Sequence, residues 1–252
     1  MPTFEDRILD RRPPSNFEHV EKFPGRALRM LQRTVSSVEK TLTFPDRYIP
    51  IYDQGAEGAC VGFGESIMMS ILNRKLYDAL WLYREAQLVD EWSDTPPEEG
   101  TSLAAGFDIL RTKGHRRLWG GASRPPEMDE GIVEVNRWLT TVDEIRTAVS
   151  EGKPVCIGIN WYFGFYQPSK DKTGYRGKTE AWMVKPSSVT NWGRVAGGHC
   201  ICITGASDRR QAVQLSNSWG PTWGVSGKAW LAYDALTRLL GEMGEAAIVT
   251  DR

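Results

Sequence analysis

Helical and strand-like patterns are segregated along this chain, and that segregation limits the folds open to it. Apolar residues recur at helical spacing over residues 60–77, 78–91 and 101–114. After Pro125 and Pro126, one short helical stretch at 142–150 is followed by short strand-like runs separated by Gly-rich turns. These runs cover residues 154–159, 199–204, 212–215 and 228–232. Helices followed by strands predict an α+β fold, in which a cleft between the two halves is the natural place for chemistry.

Residues 1–39 differ in composition from the rest of the chain. They are charged, contain Pro13 and Pro14, and have few apolar positions before an amphipathic stretch at residues 27–38. Two interpretations stay open for this N-terminal extension: an arm that packs on the surface, or a short inhibitory or targeting segment. We expect one domain over residues 40–252, with a helical half at about 52–138 and a β half at about 139–252.

The charge balance argues against two classes of partner. The chain has 31 basic and 32 acidic residues and a formal net charge of −1, so it lacks the basic surface expected for binding nucleic acid or an anionic membrane. No run approaches the roughly 18–20 apolar residues of a membrane span, and the first thirty residues contain no apolar core of a signal peptide. We therefore expect a protein that is neither exported nor inserted into a membrane.

The segment from Gln54 to Cys60 has the layout of a nucleophilic thiol with a nearby amide donor. Cys60 opens the first apolar helical run, and a thiol at a helix N-terminus has its pKa lowered by unpaired backbone N–H groups and the helix dipole. Gly55 and Gly58 allow the chain to turn tightly into that helix. Taken alone, such a cysteine is more often an inert core residue, so the prediction depends on a base farther along the chain.

The cysteine pattern suits a reducing compartment and argues against a metal site. Cys60, Cys156, Cys200 and Cys202 are few for 252 residues, and none forms a Cys-x-x-Cys pair. His199 beside Cys200 and Cys202 suggests metal ligands, but alternation along a strand would point the imidazole away from both thiols. We therefore expect no metal and no cofactor.

Of the three histidines, His199 is the one placed to act as a general base. His19 lies in the extension, and His115 lies in a basic turn, where a solvent-exposed loop position is expected. His199 follows two glycines at the start of a strand, which leaves its imidazole approachable. Farther along, Asn217 at the end of the next strand can accept the imidazole N–H, and Trp219 can shield that bond from water. Taken singly, His199 would be a core histidine and Asn217 a turn cap.

Taken together and in this order, these motifs resemble those of the papain-like cysteine peptidases of the C1 family. The matching residues are Gln54 with Cys60, Gly198-His199, and Asn217-Ser218-Trp219-Gly220 followed by Trp223-Gly224 and Gly227. The resemblance covers roughly residues 40–252. It implies a papain-like α+β fold, with a mainly helical half, an antiparallel β half and an active-site cleft between them.

The resemblance also implies a role for each matched residue. Cys60 would be the nucleophile, His199 the base and later the acid, and Asn217 the residue that orients His199. Gln54 would donate its side-chain amide to the oxyanion, alongside the Cys60 backbone N–H, and Trp219 would cover the Asn217–His199 pair. The implied activity is that of an endopeptidase, which hydrolyses a peptide or protein substrate through a thioester on Cys60.

Two positions near Cys60 depart from the family pattern. Glu57 stands where family members from secretory compartments carry a disulfide-bonded cysteine, and Val61 replaces the usual aromatic residue after the nucleophile. Forms without disulfides, with a short leader rich in Arg and Pro, occur in bacteria and bacteriophages, and segments 10–14 and 52–55 are similar to those forms. A cytoplasmic monomer is expected, located in the host cell or the virion if a bacteriophage encodes it.

By the same resemblance, Trp219 and four further residues are expected to bind substrate. Gly100 and Thr101 would lie on the cleft rim, where an extended peptide pairs with backbone. Gly158 and Gly198 would border the main specificity pocket. Two glycines there predict a roomy pocket; the alternative is that both serve only turns or close strand packing.

Two alternatives to a peptidase stay open. One is a catalytically silent papain-like module that binds partners or helps to assemble a virion. The other is an acyl-transfer variant, a transpeptidase or deamidase, because these reactions share the thioester intermediate. Every catalytic position is filled in this sequence, which favours the enzyme over the silent module.

Overall fold

The computed structural model describes residues 41–90, 99–118, 127–129, 133–172, 174, 177–186 and 191–251. The N-terminal extension predicted over residues 1–39, with its amphipathic stretch, lies outside these described residues. Among the helices described, none has the length and apolar character needed to cross a membrane.

Five α-helices lie in the described part of the chain. They are α1 (Cys60–Asn73), α2 (Ala79–Val89), α3 (Leu103–Thr112), α4 (Val142–Ser150) and α5 (Tyr233–Gly241). The first four confirm helices predicted from apolar spacing, whereas α5 was not predicted. Helices α2, α3 and α4 are each capped by a side-chain oxygen that accepts a backbone N–H of the first turn, from Asp78, Ser102 and Thr141. Helix α1 ends four residues before its predicted boundary, because Arg74 adopts a left-handed conformation with φ of 54°.

The described strands form one large sheet and one separate hairpin. In chain order they are β1 (Thr41–Thr43), β2 (His115–Arg117), β3 (Glu127–Asp129), β4 (Val133–Leu139), β5 (Val155–Tyr162), β6 (Ser169–Asp171), β7 (Glu180–Val184), β8 (Val195–Ser207), β9 (Ala212–Ser216), β10 (Lys228–Ala232) and β11 (Glu245–Asp251). The large sheet runs β4-β11-β5-β8-β9-β10-β7-β6, with β1 paired to the end of β8. Strand β2 pairs with β3, and its Arg117 also forms an isolated bridge with Tyr77. All pairs are antiparallel except β10 with β7, which is parallel. The predicted α+β fold class is confirmed.

The two faces of the central strands β11, β5 and β8 belong to different hydrophobic cores. On β5, Val155 and Ile157 enter a core shared with α4 and α5, whereas Cys156 between them enters a core shared with α1, α2 and α3. Strand β8 alternates in the same way, since Cys200 and Cys202 face the helical side. The period of two along these strands therefore separates the helical half from the β half.

Helix α1 is the central helix, buried from Cys60 to Ile71. A Cβ atom at Gly62 would lie 2.5 Å from the Ala79 carbonyl oxygen and 2.8 Å from Tyr83 Cβ, so glycine at this position permits the close approach of α2. Two residues later in α1, a Cβ atom at Gly64 would lie 2.7 Å from the Cys200 sulfur. The helix is thus held closely against both α2 and the sheet.

The prediction of a solvent-exposed loop for His115 is wrong. His115 begins β2 and is 0 % exposed; its ring stacks on Tyr77 with a centroid distance of 4.5 Å, and Nε2 lies 2.8 Å from Ser66 Oγ. Since Ser66 Oγ donates to the Gly62 carbonyl, Nε2 donates to Ser66. The charged neighbours of His115 suggested a surface turn, but burial here comes from residues distant in sequence.

Candidate active site

Backbone pairing joins the Gln54 segment to the Asn217 segment. Gln54 donates its backbone N–H to the Ser218 carbonyl at 2.8 Å, and Gly220 donates to the Tyr52 carbonyl at 2.8 Å, with Asp53 and Trp219 forming the bridge between them. Two segments far apart in sequence are therefore held in fixed register. The side chains of Gln54 and Asn217 project from the same small ladder.

The Gln54 side chain is oriented by two hydrogen bonds. Its Nε2 donates to the Glu57 carbonyl at 2.8 Å, and its Oε1 accepts from Ser218 Oγ at 2.6 Å. The side chain is only 4 % exposed. An amide nitrogen carries two hydrogens, so Nε2 of Gln54 has a second N–H besides the one used within the loop.

His199 donates a buried hydrogen bond to Asn217. His199 Nε2 lies 2.8 Å from Asn217 Oδ1, and the Ser218 backbone N–H also donates to Oδ1 at 2.8 Å. Because Oδ1 is an acceptor, Nε2 must carry the proton, and the neutral imidazole then has Nδ1 as its basic nitrogen. Both side chains are buried. This arrangement fixes the tautomer of the His199 imidazole.

Two indole rings enclose the His199 imidazole. The ring centroid of Trp219 lies 4.9 Å from that of His199, and the centroid of Trp161 lies 4.6 Å away. Tyr166 stacks on the outer side of Trp219 at 5.4 Å. The predicted cover over the Asn217–His199 bond is therefore present, and Trp161 adds a second ring that the motifs did not indicate.

Cys60 is the first residue of α1, as its sequence context predicts. The N-cap residue, Ala59, offers no side-chain oxygen to the first-turn N–H groups. Gly64, one turn after Cys60, packs against the sulfur of Cys200, and Cys200 follows His199 on β8. Since a helix rises 1.5 Å per residue, Cys60 lies about 6 Å nearer the helix start than Gly64. Helix α1 and strand β8, which carry the thiol and the imidazole, therefore pack against each other.

The other three cysteines lie in the core between α1 and the sheet, and all four are free thiols. Burial raises the pKa of Cys156 to about 11 and raises that of Cys202 well above its usual range. These two thiols stay protonated at neutral pH, which makes them poor nucleophiles. Cys200 and Cys202 face α1, as alternation predicts, and the described residues contain no group of three or more His, Cys, Asp or Glu side chains suited to a metal ion.

A carboxylate ties down the loop that leads into α1. Glu99 Oε2 accepts the Gly58 backbone N–H at 3.0 Å. Glu57 itself is exposed, and its carbonyl receives the Gln54 amide. A hydrogen bond from the Gly58 backbone to the Glu99 carboxyl group thus links the two loops.

The predicted substrate-binding residues occupy two regions. Gly100 donates its N–H to Tyr83 Oη at 3.1 Å, and Thr101 Oγ1 donates to Asp90 at 2.6 Å, so both residues are bonded within the helical half. Gly158 and Gly198 lie on the adjacent strands β5 and β8. Their roles in substrate binding stay predictions.

Three residues near the site were not assigned by sequence reasoning. Ser218 lies within the Asn-Ser-Trp motif but was given no role, and Trp161 carried no signal because its contact with His199 depends on strand pairing. Glu65 could have been found, because it is the one charged residue in the apolar run that begins at Cys60.

The fold that brings these residues together is the papain-like fold of cysteine proteases. Xylellain, a cysteine protease from Xylella fastidiosa, superposes with a TM-score of 0.69 at 14 % identity, over 99 % of this chain and 98 % of that one. Digestive procathepsin L2 proteinase from Tenebrio molitor larval midgut gives 0.63 at 17 % identity, over 98 % of this chain and 79 % of that one. Procathepsin B S9 from Trypanosoma congolense gives 0.63 at 12 % identity, over 99 % and 89 %.

Sequence comparison adds no further relative. No family model and no curated protein sequence matches this chain. At identities of 12–17 %, the structural likeness establishes the fold, and the chemistry must be argued from the side chains themselves.

Proposed function

We propose that this protein is a cysteine endopeptidase that hydrolyses peptide bonds through a thioester on Cys60. The observation that carries the proposal is the buried 2.8 Å bond between His199 Nε2 and Asn217 Oδ1, which makes Nδ1 the basic nitrogen of the imidazole. Cys60, the first residue of α1, supplies the thiol. Gln54, whose side chain is held by two hydrogen bonds, supplies an amide donor.

The proposed reaction begins with proton transfer from the Cys60 thiol to His199 Nδ1. The thiolate attacks the carbonyl carbon of the substrate, and the C=O electron pair moves onto oxygen. Gln54 Nε2–H and the Cys60 backbone N–H donate to this oxyanion, each donor being worth about 3–4 kcal/mol in comparable sites. The C–N bond then breaks, and His199 protonates the departing amine.

The second half of the reaction regenerates the thiol. His199 takes a proton from water, the hydroxide attacks the thioester carbonyl, and the same two donors stabilise the second oxyanion. Collapse breaks the C–S bond and releases the carboxylic acid. The surrounding Trp161 and Trp219 rings keep bulk water from the His199–Asn217 bond, so that the imidazole stays oriented through both steps.

A direct test uses three variants and a quenched fluorogenic peptide library. Cys60→Ala and His199→Ala are each expected to lower turnover by at least about a thousandfold, because the nucleophile and base act as a unit. Cys202→Ala is the matched control, since this buried thiol faces the core and should leave turnover within a few-fold of the wild type.

A thiol-directed epoxide provides the second readout. Mass spectrometry is expected to find label on Cys60 in the wild-type protein and none in Cys60→Ala. Label on Cys156, Cys200 or Cys202 in Cys60→Ala protein that still cleaves peptides would remove Cys60 as the nucleophile. A wild-type protein that binds peptides but turns none over would favour the silent binding module.

A further inference from the structure

The peptide group between Glu57 and Gly58 is held by a different side chain on each side. Its carbonyl oxygen accepts the Gln54 Nε2–H at 2.8 Å, and its N–H donates to Glu99 Oε2 at 3.0 Å. A peptide group is planar and rigid, so the two bonds fix the orientation of one unit. Glu99 is therefore connected to the Gln54 amide through a single peptide group.

Glycine at position 58 allows Glu99 to come this close. A Cβ atom at Gly58 would lie 2.9 Å from the Glu99 Cβ atom and 3.2 Å from the Gly100 nitrogen, so a side chain there would push the Glu99 segment away. Gly55, by contrast, has a positive φ of 65° and open space where its Cβ atom would be. Glycine thus serves a turn at 55 and the contact with Glu99 at 58.

The segment that presents Glu99 is anchored to α2. The next residue, Gly100, donates its N–H to Tyr83 Oη at 3.1 Å, and Thr101 Oγ1 donates to Asp90 at 2.6 Å. Tyr83 lies on α2, and Asp90 directly follows that helix. The Glu99 carboxyl group therefore holds the loop before Cys60 in a fixed position relative to α2.

Three hydrogen bonds in series determine the orientation of the Gln54 amide. Ser218 Oγ donates to Gln54 Oε1, Gln54 Nε2 donates to the Glu57 carbonyl, and the Gly58 N–H donates to Glu99. A carboxylate that accepts a peptide N–H polarises the peptide and makes its carbonyl oxygen a stronger acceptor. Loss of the Glu99 carboxylate should therefore loosen the Gln54 amide without touching it.

Glu57 separates this effect from that of charge alone. It precedes Gly58 and is also exposed, but its backbone oxygen, rather than its carboxylate, accepts the Gln54 amide. Truncation of Glu57 therefore removes a negative charge from the same loop and leaves both bonds of the peptide group in place.

We propose that Glu99 is a positioning residue, which holds the Gln54 amide through the Glu57–Gly58 peptide group in the orientation that an oxyanion donor needs. This inference rests on the proposed function, because that function gives Gln54 its part in the reaction.

Peptide turnover tests the inference through kcat and KM separately. Glu99→Ala is expected to lower kcat by about five- to tenfold, as for loss of a charge-assisted bond, with KM within about twofold, because the oxyanion forms only in the transition state. Glu99→Gln keeps an acceptor for the Gly58 N–H and should lose only about threefold. The loss in Glu99→Ala should exceed that in Glu57→Ala by at least about threefold.

A double-variant cycle shows whether Glu99 acts through Gln54. Added to Gln54→Ala, Glu99→Ala should lower kcat by no more than about twofold further, because no amide remains to be positioned. An undiminished Glu99 effect in that background, an equal loss in Glu57→Ala, or a rise in KM with kcat unchanged would overturn the inference. If Glu99→Ala fails to fold, as judged by near-UV circular dichroism, Glu99→Gln takes its place in the cycle.

A measurement without turnover separates failure of this inference from failure of the proposed function. In ¹⁵N-labelled Cys60→Ala protein, the side-chain amide signal of Gln54 is the one that Gln54→Ala removes. Adding Glu99→Ala should speed exchange of this amide with water by at least about fivefold, as for a weakened hydrogen bond, and adding Glu57→Ala should not. Faster exchange in a protein whose wild type cleaves no peptide would reject only the peptidase. Unchanged exchange, with peptides cleaved by the wild type, would reject only the role of Glu99.

Discussion

Gln54 shows how a single side chain depends on its neighbours for orientation. An amide on a flexible side chain would sample several rotamers, but Glu57 holds its nitrogen and Ser218 holds its oxygen. Ser218 touches no reacting atom in the proposed mechanism and is a positioning residue. Its hydroxyl keeps the free N–H of Gln54 directed away from the loop.

Loss of the Ser218 hydroxyl should therefore reduce catalysis through Gln54. Ser218→Ala is expected to lower kcat by about tenfold, whereas Gln54→Ala should lower it by about 10²–10³-fold, as for loss of an oxyanion donor. In the double variant the Ser218 effect should vanish, because nothing remains to be positioned. Peptide turnover measures all three.

Ser216→Ala is the matched control for Ser218→Ala. Ser216 is also buried, and its hydroxyl bonds to Thr204 at 2.9 Å without contacting Gln54. An equal loss of kcat in Ser216→Ala, or additive losses in the Gln54 and Ser218 double variant, would contradict the positioning role.

His115 is expected to make the folded state sensitive to acid. Burial lowers the pKa of His115 to about 3, with Asp78 and Asp129 partly opposing it. Below the ordinary histidine pKa of about 6.5, the unfolded chain gains a proton that the folded chain does not, so this residue removes up to about 1.4 kcal/mol of stability per pH unit until about pH 3. Urea unfolding at pH 7 and pH 5 measures the loss.

His115→Gln should flatten that dependence, because Gln retains a donor for Ser66 but does not titrate in this range. The variant and the wild type should differ in slope between pH 5 and pH 7, whatever their stability at pH 7. Parallel slopes would show that other groups dominate the acid sensitivity.

At the level of secondary-structure elements, the approach of α1 to α2 depends on glycine. Gly62→Ala would place a methyl group 2.5 Å from the Ala79 carbonyl oxygen, which is backbone and cannot move aside alone. We expect α2 to be displaced at a cost of about 1–3 kcal/mol in the free energy of unfolding. Denaturant unfolding measures this cost.

Gly241→Ala distinguishes crowding from helix propensity. Gly241 ends α5, and no atom lies within 4 Å of where its Cβ would be. Alanine there should leave stability unchanged or raise it by up to about 1 kcal/mol. If Gly62→Ala proved as harmless as Gly241→Ala, the close contact between Gly62 and Ala79 would not set the distance between α1 and α2.

For the molecule as a whole, the shared sheet should make unfolding a single event. Strands β5, β8 and β11 give alternate residues to both hydrophobic cores, so neither core can lose its strands without exposing the other. Tryptophan fluorescence and far-UV circular dichroism should give coincident urea transitions. Two separated transitions, one for each probe, would indicate halves that unfold independently.

Local sequence patterns predicted the elements that hold the candidate catalytic residues better than they predicted the remaining strands of the sheet. Cys60 at the start of α1 and His199 on β8 follow from apolar spacing and glycine placement, which act over a few residues. Strands β4, β7 and β11 were not predicted, because their pairing depends on partners far along the chain.

Burial of polar groups was the least predictable property. His115 is flanked by Lys113, Arg116 and Arg117, and only contact with Tyr77 and Ser66 from distant segments places it inside. Glu65 is likewise buried although it is charged, because Gly106 of α3 leaves room for its carboxyl group.

The contact between Gly106 and Glu65 has a consequence for how this chain can vary. A side chain at 106 would meet the Glu65 carboxyl group and require it to shift, so we expect the two positions to be coupled. Among descendants of this sequence, glycine at 106 should accompany glutamate at 65, and a larger residue at 106 should appear only where 65 has become small. Covariation of these two columns would then identify which chains retain a buried acid behind the cleft.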